Sequence, residues 1–517
     1  MDKPLAATAH LFLRLRPDDT VGIVTRTLPA GTDLNAENVA VRLRGDVPAG
    51  HKVALVDVPA GGQVLKYGQV IGVATRPILA GEHVHSHNLA FADFGRDYAF
   101  GADVKGLPDL PVDHQAHFGG IIRADGRVAT RNYIGILTSV NCSASVARMV
   151  AARFQEGSEL LASCPNVDGV VALTHGSGCG MAGSGEGFEL LRRTLSGYAR
   201  HPNFAAVLVL GLGCEVNQVR SLTAGFDVPS STPVLSMSIQ EMGGTRETVR
   251  EAAARIQDLA TVAANVTRTP VPASELILGL ECGGSDSYSG ITANPALGAA
   301  ADILVQQGGT AVLGETPEIY GAEHLLTRRA ASREIGERLV QRIRWWENYV
   351  KGCGASLDNN PSPGNKEGGL TTILEKSLGA VAKGGTSNLT AVYEYAEIID
   401  KKGFVFMDTP GYDPVSVTGM VAGGANVVCF TTGRGSVFGS KPAPCIKLAT
   451  NSGTYGRMPG DMDVNCGPIL DGEATVEGAG RDIFDLVLAV ASGQRTKSEE
   501  LGFGEEEFTP WQLGAVL

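Results

Sequence analysis

Residues 204–212 read FAAVLVLGL and form the longest apolar stretch of the 517-residue chain. A short, uncharged run rich in Val and Leu is typical of a strand buried on both faces of a sheet, and it is far shorter than the roughly 20 residues of a membrane-spanning helix. Strand-like and helix-like segments alternate around it, which indicates parallel sheets covered by helices. The predicted strands are 133–139, 169–173 and 205–210, and the predicted helices are 144–156, 186–199 and 246–264.

The alternation continues toward the C-terminus, with strands predicted at 276–280, 310–313, 404–407 and 427–431. The first ninety residues differ, because short β-branched runs there are separated by the turn sequences LPAG, VPAG and ILAG. The fold class is therefore α/β, with a small β-rich N-terminal domain followed by two α/β domains whose sheets are largely parallel. We place the β-rich domain at 1–100, a linker at 101–117, and the α/β domains at 118–266 and 267–517.

The composition limits the classes of function. With 43 Lys+Arg against 55 Asp+Glu the formal net charge is −12, so nucleic acid is not an expected partner. A hydrophobic content of 43% supplies a large core and argues against disorder. The N-terminus lacks the apolar segment of a signal peptide, and nine scattered cysteines without a CxxC pair indicate reduced thiols. We expect a cytoplasmic protein that does not associate with membranes.

Histidines are concentrated in the first domain. His83, His85 and His87 alternate in the sequence HVHSH, so on an extended strand all three side chains project from one face. Neutral imidazole is a common metal ligand, and the pattern predicts contact with a metal or a substrate; the alternative is a solvent-facing strand edge. His51 precedes a predicted strand and can face the same cleft.

A glycine-rich loop follows the strand at 169–173. The sequence THGSGCGMAG contains GxGxxG from Gly178 to Gly183, and Glu215 follows the next strand. On pattern alone this is a dinucleotide-binding fingerprint, which keeps an NAD-dependent dehydrogenase as an alternative function. His175 and Cys179 inside the loop are not needed for a dinucleotide, and a glycine-rich loop before a helix also suits a substrate carboxylate.

Four cysteines lie at or near the ends of predicted strands: Cys142, Cys179, Cys214 and Cys282. In doubly wound folds these ends converge on one crevice, and thiolates favour iron and iron–sulfur clusters. The four are candidate thiolate ligands. The alternative is that they are small buried residues, which is common for cysteine.

Charged residues on glycine-flanked loops form a further group of candidates. Asp286 and Glu315 follow strands, where a carboxylate is well placed to ligate a metal. Lys366 lies on the loop PSPGNKEGG and can bind an anion or act as a general base. Arg434, in TGRG, offers a bidentate guanidinium to a carboxylate, and Asp413 and Lys447 lie near other strand ends.

With these motifs assembled, the chain resembles the altronate/galactarate dehydratase family, including its N-terminal SAF-type domain. The resemblance rests on GHKVALVDVPAGGQVLKYGQVIG, HVHSHN, HPNFAAVLVLGLGCEVNQ, ECGGSDSYSGITANPALG, NPSPGNKEGG, EKSLGAVAKGG, FTTGRGS and KLATN. It implies a hydro-lyase that dehydrates a sugar acid to a 2-keto-3-deoxy acid with a divalent metal, Fe²⁺ or Mn²⁺, and it implies a homodimer. HVHSHN is similar to altronate dehydratases and TSVNCS to galactarate dehydratases, and a related branch, sulfolactate sulfo-lyase, eliminates sulfite instead.

The implied chemistry assigns roles to the candidates. A base removes the C2 proton, an acid assists loss of the C3 hydroxide, and the enol becomes the keto acid. The expected metal ligands are His51, His85, His87, Asp286 and Glu315. The expected acid and base groups are His175, Lys366 and Asp413. The expected substrate-binding residues are Lys66, Tyr67, Ser285, Asn365, Thr432, Arg434 and Lys447. An iron–sulfur cluster on the cysteines is the alternative cofactor, and a non-catalytic sugar-acid sensor is the alternative class.

Overall fold

The computed structural model describes residues 11–36, 39–106, 115–155 and 157–514. The middle of the predicted linker, residues 107–114, lies outside the described residues. Within its described residues the N-terminal domain contains only short antiparallel strands, arranged in sheets of order β1-β2-β5-β8, β3-β4 and β6-β7-β9. The strands are β1 (Phe12–Leu13), β2 (Val21–Val24), β3 (Asp33–Ala36), β4 (Val39–Arg42), β5 (Lys52–Ala54), β6 (Gln63–Lys66), β7 (Gln69–Ala74), β8 (His83–Val84) and β9 (Leu89–Ala90).

The second domain is built on a four-stranded parallel sheet of order β13-β12-β14-β15. Its strands are β12 (Tyr133–Thr138), β13 (Gly169–Leu173), β14 (Phe204–Gly211) and β15 (Val234–Ser238). Its helices are α1 (Ala144–Ala151), α2 (Glu159–Ala162), α3 (Glu186–Arg200), α4 (Val219–Ala224) and α5 (Thr245–Ala263). A small antiparallel sheet joins this domain to the next through β10 (His117–Ile122), β11 (Val128–Ala129) and β16 (Thr269–Pro272).

The C-terminal domain contains a seven-stranded sheet of order β19-β20-β18-β17-β21-β22-β23, in which neighbouring strands are parallel. Its strands are β17 (Ile277–Cys282), β18 (Thr310–Leu313), β19 (Leu389–Tyr393), β20 (Gly403–Met407), β21 (Val427–Thr432), β22 (Cys445–Ala449) and β23 (Val464–Asn465). Its helices are α6 (Ala293–Gln306), α7 (His324–Thr327), α8 (Arg333–Gly352), α9 (Pro363–Glu367), α10 (Ile373–Ala380), α11 (Asp413–Gly423), α12 (Ser452–Arg457), α13 (Val476–Ala491) and α14 (Lys497–Glu500).

The predicted fold class is confirmed: a β-rich N-terminal domain precedes α/β domains with parallel sheets. The central strands are uninterrupted apolar runs because helices cover both faces of each sheet. The histidine segment differs from its prediction, since β8 ends at Val84 and His85 and His87 lie in the following turn. None of the helices in the described part of the chain is long and apolar enough to cross a membrane.

The N-terminal and C-terminal domains share one apolar core. Ile71 and Val84 of the first domain belong to the same cluster of buried side chains as Leu278 and Ile373 of the last. Burial of this kind stabilises by about 25 cal/mol per Å² of apolar surface. The small β domain is therefore held against the C-terminal domain by its hydrophobic surface, and the junction between them can form a site of fixed geometry.

Candidate active site

The loop predicted from PSPGNKEGG is a one-turn helix, α9. Ser362 caps it, because its Oγ accepts a hydrogen bond from Asn365 N while the Asn365 side chain accepts one from Ser362 N, and Pro363 occupies the first helical position. Asn365 Nδ2 also donates to Ser285 O over 2.8 Å. This bond fixes α9, and with it Lys366, above the carboxyl edge of the seven-stranded sheet.

Imidazole groups of the N-terminal domain bind the backbone of α9. His51 Nε2 lies 3.1 Å from Glu367 O, and His85 Nε2 lies 2.9 Å from Lys366 O. His51 Nδ1 lies 3.0 Å from His83 Nε2, and the ring centroids of His83 and His87 are 5.4 Å apart. Carbonyl oxygens accept, so each Nε2 that faces one carries the proton, and the Nδ1 atoms of His51 and His85 are the basic nitrogens.

Burial keeps these imidazoles neutral. It lowers the pKa of His83 to about 3, with further lowering by the neighbouring histidines, and it lowers the pKa of His85 to about 4 despite the hydrogen bond to Lys366 O. The pKa of His51 is lowered as well, again chiefly by burial. Neutral rings can accept a proton or donate a lone pair at neutral pH.

A cavity of about 610 Å³ opens at this junction. It is lined by His51, His85, Asp358, Asn359, Pro361, Pro363, Lys366 and Glu367. Lys366 Nζ has no hydrogen-bond or ion-pair partner within the described chain. An ammonium group and neutral imidazoles therefore face a space that is open to a small anion.

A buried cluster of charged side chains lies beneath the loop that borders the cavity. Asn360 connects the two, because its side chain bonds both Glu318, over 2.8 Å, and Lys376, over 2.7 Å. Four carboxylates of the cluster face two ammonium groups: Glu281, Glu315, Glu318 and Asp413 against Lys376 and Lys383. Ligand atoms of Glu281, Glu315 and Asp413 all lie within 4.8 Å of one another.

The cluster has four carboxyl groups and only two ammonium groups to balance their negative charge. Burial, together with Glu315, raises the pKa of Glu281 well above its usual value, and burial with Glu315 and Glu318 raises that of Asp413 to about 7. Glu281 Oε2 accepts from Ser416 Oγ, whereas Glu281 Oε1 is buried and has no partner in the part of the chain that is described. An unpaired buried carboxylate oxygen is costly, so this position suits a cation or a shared proton.

The chain matches three family profiles along its length. They are described as the altronate/galactarate dehydratase SAF domain, at residues 10–92, the second domain of D-galactarate dehydratase/altronate hydrolase, at 120–264, and the C-terminal domain of D-galactarate/altronate dehydratase, at 273–516. Galactarate dehydratase (L-threo-forming) of Escherichia coli K12 is 38% identical over 502 residues, 95% of each chain. Altronate dehydratase of the same organism is 36% identical over 496 residues, 96% of this chain and 98% of that protein. The chain belongs to the altronate/galactarate dehydratase family.

The resemblance predicted from the motifs is thus confirmed, and the protein is an enzyme of the hydro-lyase class. The β-rich N-terminal domain of this dehydratase is its SAF domain. The subunit beta of (2R)-sulfolactate sulfo-lyase from Chromohalobacter salexigens is a more distant relative, 33% identical over 396 residues that cover 75% of this chain and 96% of that subunit.

Several predicted residues surround the junction in the dehydratase. Asp286 accepts hydrogen bonds from Ser289, from Thr450 over 3.0 Å and from Asn451 over 3.1 Å. Arg434 Nη2 pairs with Glu367 of α9 over 3.1 Å at the surface. The other predicted substrate-binding residues near this edge contact neighbouring parts of the protein. Lys66 donates to Ser287, Tyr67 and Ser285 line a narrow gap, and Thr432 Oγ accepts from Gly435 N.

Several predicted residues lie apart from the cavity, and Asp413 is one of them because it belongs to the buried cluster. Glu315 belongs to the buried cluster and pairs with Lys383, so it does not join the imidazoles. Lys447 is buried in β22 and donates to Phe438 O over 2.8 Å, which leaves it away from the cavity. Cys282 is buried between Lys383 and Glu315, where burial raises the pKa of its thiol, and it does not accompany the other three cysteines.

The glycine-rich loop belongs to the second domain and carries His175, one of the predicted acid and base groups. His175 is buried, with Nε2 2.9 Å from Thr138 O and Nδ1 accepting from Ser177 N. Burial lowers its pKa to about 4. Both ring nitrogens therefore bind backbone groups of the second domain, and the role of His175 as an acid or base stays a prediction.

The same loop has no geometry that supports a dinucleotide. A Cβ on Gly178 would lie 2.1 Å from Ser139 O, so this glycine permits close approach of two backbone segments. Glu215, the expected ribose acid, is buried and accepts from Ser139 Oγ and from Gly213 N. The dehydratase assignment replaces the dehydrogenase alternative.

Sequence reasoning missed the residues whose partners lie far away in the chain. They are Glu281, Glu318, Glu375, Lys376 and Lys383. Glu375, Lys376 and Lys383 all lie in EKSLGAVAKGG and Glu281 in ECGGSD. These motifs otherwise contain mostly small and apolar residues, and a charged residue in such a motif was the signal in the sequence that could have indicated a buried charge.

Proposed function

We propose that the dehydratase acts on a polyhydroxylated sugar acid of the galactarate or altronate type at the junction of its SAF and C-terminal domains. The observation that carries the proposal is the cavity of about 610 Å³, which is lined by neutral imidazoles and by Lys366. The ammonium of Lys366 has no hydrogen-bond or ion-pair partner among the described residues. Full-length similarity to a galactarate and an altronate dehydratase supports this substrate class. The ammonium suits an anionic substrate, and the imidazoles suit the hydroxyl groups of that substrate.

The buried carboxylates are the residues that we propose hold Fe²⁺ or Mn²⁺. Oxygen ligands suit these ions, and Glu281 Oε1 lacks a partner within the described residues. Glu315 and Asp413 complete a set whose ligand atoms lie within 4.8 Å of one another. The imidazoles fit less well, because both ring nitrogens of His51 and of His85 already have hydrogen-bond partners. When bound, the metal supplies Lewis-acid stabilisation of negative charge.

The reaction removes one water from the substrate. We assign the C2 proton to His85 Nδ1, the basic nitrogen of a ring whose tautomer is fixed by Lys366 O. Its present partner is Ser86 Oγ at 3.0 Å, on the exposed side of the site. Lys366 Nζ donates a proton to the departing C3 hydroxyl, and the enol then tautomerises to a 2-keto-3-deoxy acid.

The experiment is an anaerobic assay of the purified chain with added Fe²⁺ or Mn²⁺. Galactarate, altronate, related aldonates and sulfolactate are screened for 2-keto acid with semicarbazide, and sulfite is measured in parallel. A 2-keto-3-deoxy product without sulfite supports the proposal and identifies the substrate. Release of sulfite from sulfolactate instead would place the chain in the sulfo-lyase branch, and no product from any compound would overturn the proposed substrate class.

Substitutions of the proposed acid and base test whether the reaction takes place in the cavity. Lys366→Met and His85→Gln are each expected to lower kcat by about 10²- to 10⁴-fold, the usual contribution of an acid or base. Lys351→Met is the matched control, since Lys351 is exposed at the end of α8. Equal kcat in all three variants would remove the cavity from the mechanism.

A further inference from the structure

Three cysteines of the second domain lie at one edge of its sheet. Cys142, Cys179 and Cys214 follow β12, β13 and β14, which are adjacent and parallel, within three to six residues of each strand end. Carboxyl ends of parallel strands meet at the same edge. The structure thus places three thiols on three neighbouring loops.

Backbone hydrogen bonds hold these loops together. Asn141 N, next to Cys142, donates to Ser177 O over 3.0 Å. Asn217 N, three residues after Cys214, donates to Gly178 O over 3.0 Å, and its side chain donates to Ser139 O over 3.1 Å. Each pair of loops is therefore joined close to its cysteines, and the three sulfur atoms are carried on one rigid rim.

The exposure of these thiols is unusual. A free cysteine that only fills space is commonly buried, and Cys164, Cys429 and Cys445 of this chain are buried in that way. Cys142, Cys179 and Cys214 are exposed. Gln240 Nε2, from the loop after β15, lies 3.7 Å from Cys214 Sγ and donates to it. Hydrogen bonds to sulfur are among the groups that tune an iron–sulfur cluster.

The spacing of the sulfur atoms argues against a single tetrahedral metal ion as the ligand. The three Sγ atoms are not all within 4.8 Å of one another. Three thiolates on one tetrahedral zinc, with Zn–S of about 2.3 Å, would lie about 3.8 Å apart. A wider triangle suits a cluster of several iron atoms. We propose that Cys142, Cys179 and Cys214 ligate an iron–sulfur cluster on the second domain and leave one iron without a protein thiolate.

This site is separate from the junction in the C-terminal domain. Cys282, the fourth cysteine at a strand end, is enclosed by Lys383 and Glu315 and cannot join the other three. The proposal therefore stands whether or not the junction acts on a sugar acid. It adds a cofactor site to a domain in which His175 and Glu215 have only structural contacts.

The test uses the full chain, purified anaerobically and treated with Fe²⁺, sulfide and a thiol reductant. We expect broad visible absorption and equal amounts of iron and acid-labile sulfide. Cys142→Ser, Cys179→Ser and Cys214→Ser are each expected to lose the absorption and most of the sulfide. Cys353→Ser is the control, because Cys353 is exposed just after α8 in the C-terminal domain, and it is expected to keep both.

Alkylation tests the same three cysteines in the wild-type chain, so it does not depend on whether a serine variant folds. In the reconstituted wild-type chain the three cysteines are expected to resist iodoacetamide, while Cys353 reacts, and chelation of iron should make all of them reactive. Reconstituted protein without acid-labile sulfide, metal bound as zinc alone, or a disulfide between two of the three cysteines would each overturn the proposal.

Discussion

Lys66 Nζ of the SAF domain lies 2.9 Å from Glu375 Oε1 of α10, and Lys52 Nζ lies 2.8 Å from the other oxygen of the same carboxylate. All three side chains are completely buried. Burial by itself would raise the pKa of Glu375, but the two ammonium groups outweigh it and lower that pKa to about 2. A charged triad therefore joins two domains beside the proposed active site.

The triad predicts a large cost for removing its one carboxylate. Glu375→Gln leaves two buried ammonium groups without a counter-charge, and breaking a buried pair in this way costs about 3–5 kcal/mol of the free energy of unfolding. Urea denaturation at pH 7 measures it. Glu337→Gln, which breaks an exposed pair with Arg333 on α8, is expected to cost less than about 0.5 kcal/mol. Equal stability of the two variants would contradict a structural role for the triad.

His201 predicts a loss of stability in mild acid. Its Nε2 donates to Ala425 O over 3.1 Å and its Nδ1 accepts from Asn203 N, so both nitrogens are used by the neutral ring. Burial lowers its pKa from 6.5 to about 4. Between these values the unfolded chain binds more protons, so stability is full above pH 6.5 and falls as the pH falls toward 4.

The expected contribution is about 2 kcal/mol lost between pH 7.5 and pH 5. Denaturation at the two pH values measures the change in the free energy of unfolding. We expect that change to be smaller by about 2 kcal/mol in His201→Gln than in the wild type. His117→Gln, at an exposed position of β10, is expected to keep the wild-type dependence. A wild-type dependence in His201→Gln would show that His201 does not titrate in this range.

Glu281 predicts the position of the divalent metal. Glu281→Gln keeps the shape of the side chain, and its amide oxygen can still accept from Ser416 Oγ, but the amide cannot lose a proton to become the charged carboxylate that a cation binds. We expect the affinity for Mn²⁺ to fall about tenfold or more, while the midpoint of thermal unfolding without metal stays the same or rises. Titration calorimetry and thermal unfolding measure the two effects. Glu477→Gln, on the exposed start of α13, is the control, and unchanged affinity in Glu281→Gln would move the metal to the imidazoles.

The glycine-rich loop predicts different outcomes for two of its glycines. Gly178 has a φ of +99°, and an added Cβ would meet Ser139 O at 2.1 Å, so Gly178→Ala is expected to cost about 2–4 kcal/mol. At Gly183 the nearest atom is the Val216 Cγ1 atom at 3.6 Å, and Gly183→Ala should be nearly neutral. Chemical denaturation compares them. Similar stability of both variants would contradict the close backbone approach.

The strands could be predicted well from the sequence where they are continuous apolar runs. The predicted segments 169–173 and 310–313 coincide with β13 and β18. β22 (Cys445–Ala449) was missed, because Lys447 interrupts its apolar pattern and finds its partner, Phe438 O, only in the folded chain. A hydrophobic pattern in the sequence identifies strands that are buried in a sheet. It does not identify a buried strand that carries one polar side chain whose hydrogen-bond partner is distant in the sequence.

The sequence by itself determined the order of β-rich and α/β segments, the family and the alternation of His83, His85 and His87, because each depends on local patterns or on long motifs in sequence order. Only the tertiary structure decided which of these groups meet. Lys66 and Glu375 are 309 positions apart, and Cys282 lies on a different sheet from the three cysteines that its motif resembles. Such contacts depend on how the SAF domain and the two sheets pack through shared apolar cores, which no local pattern records.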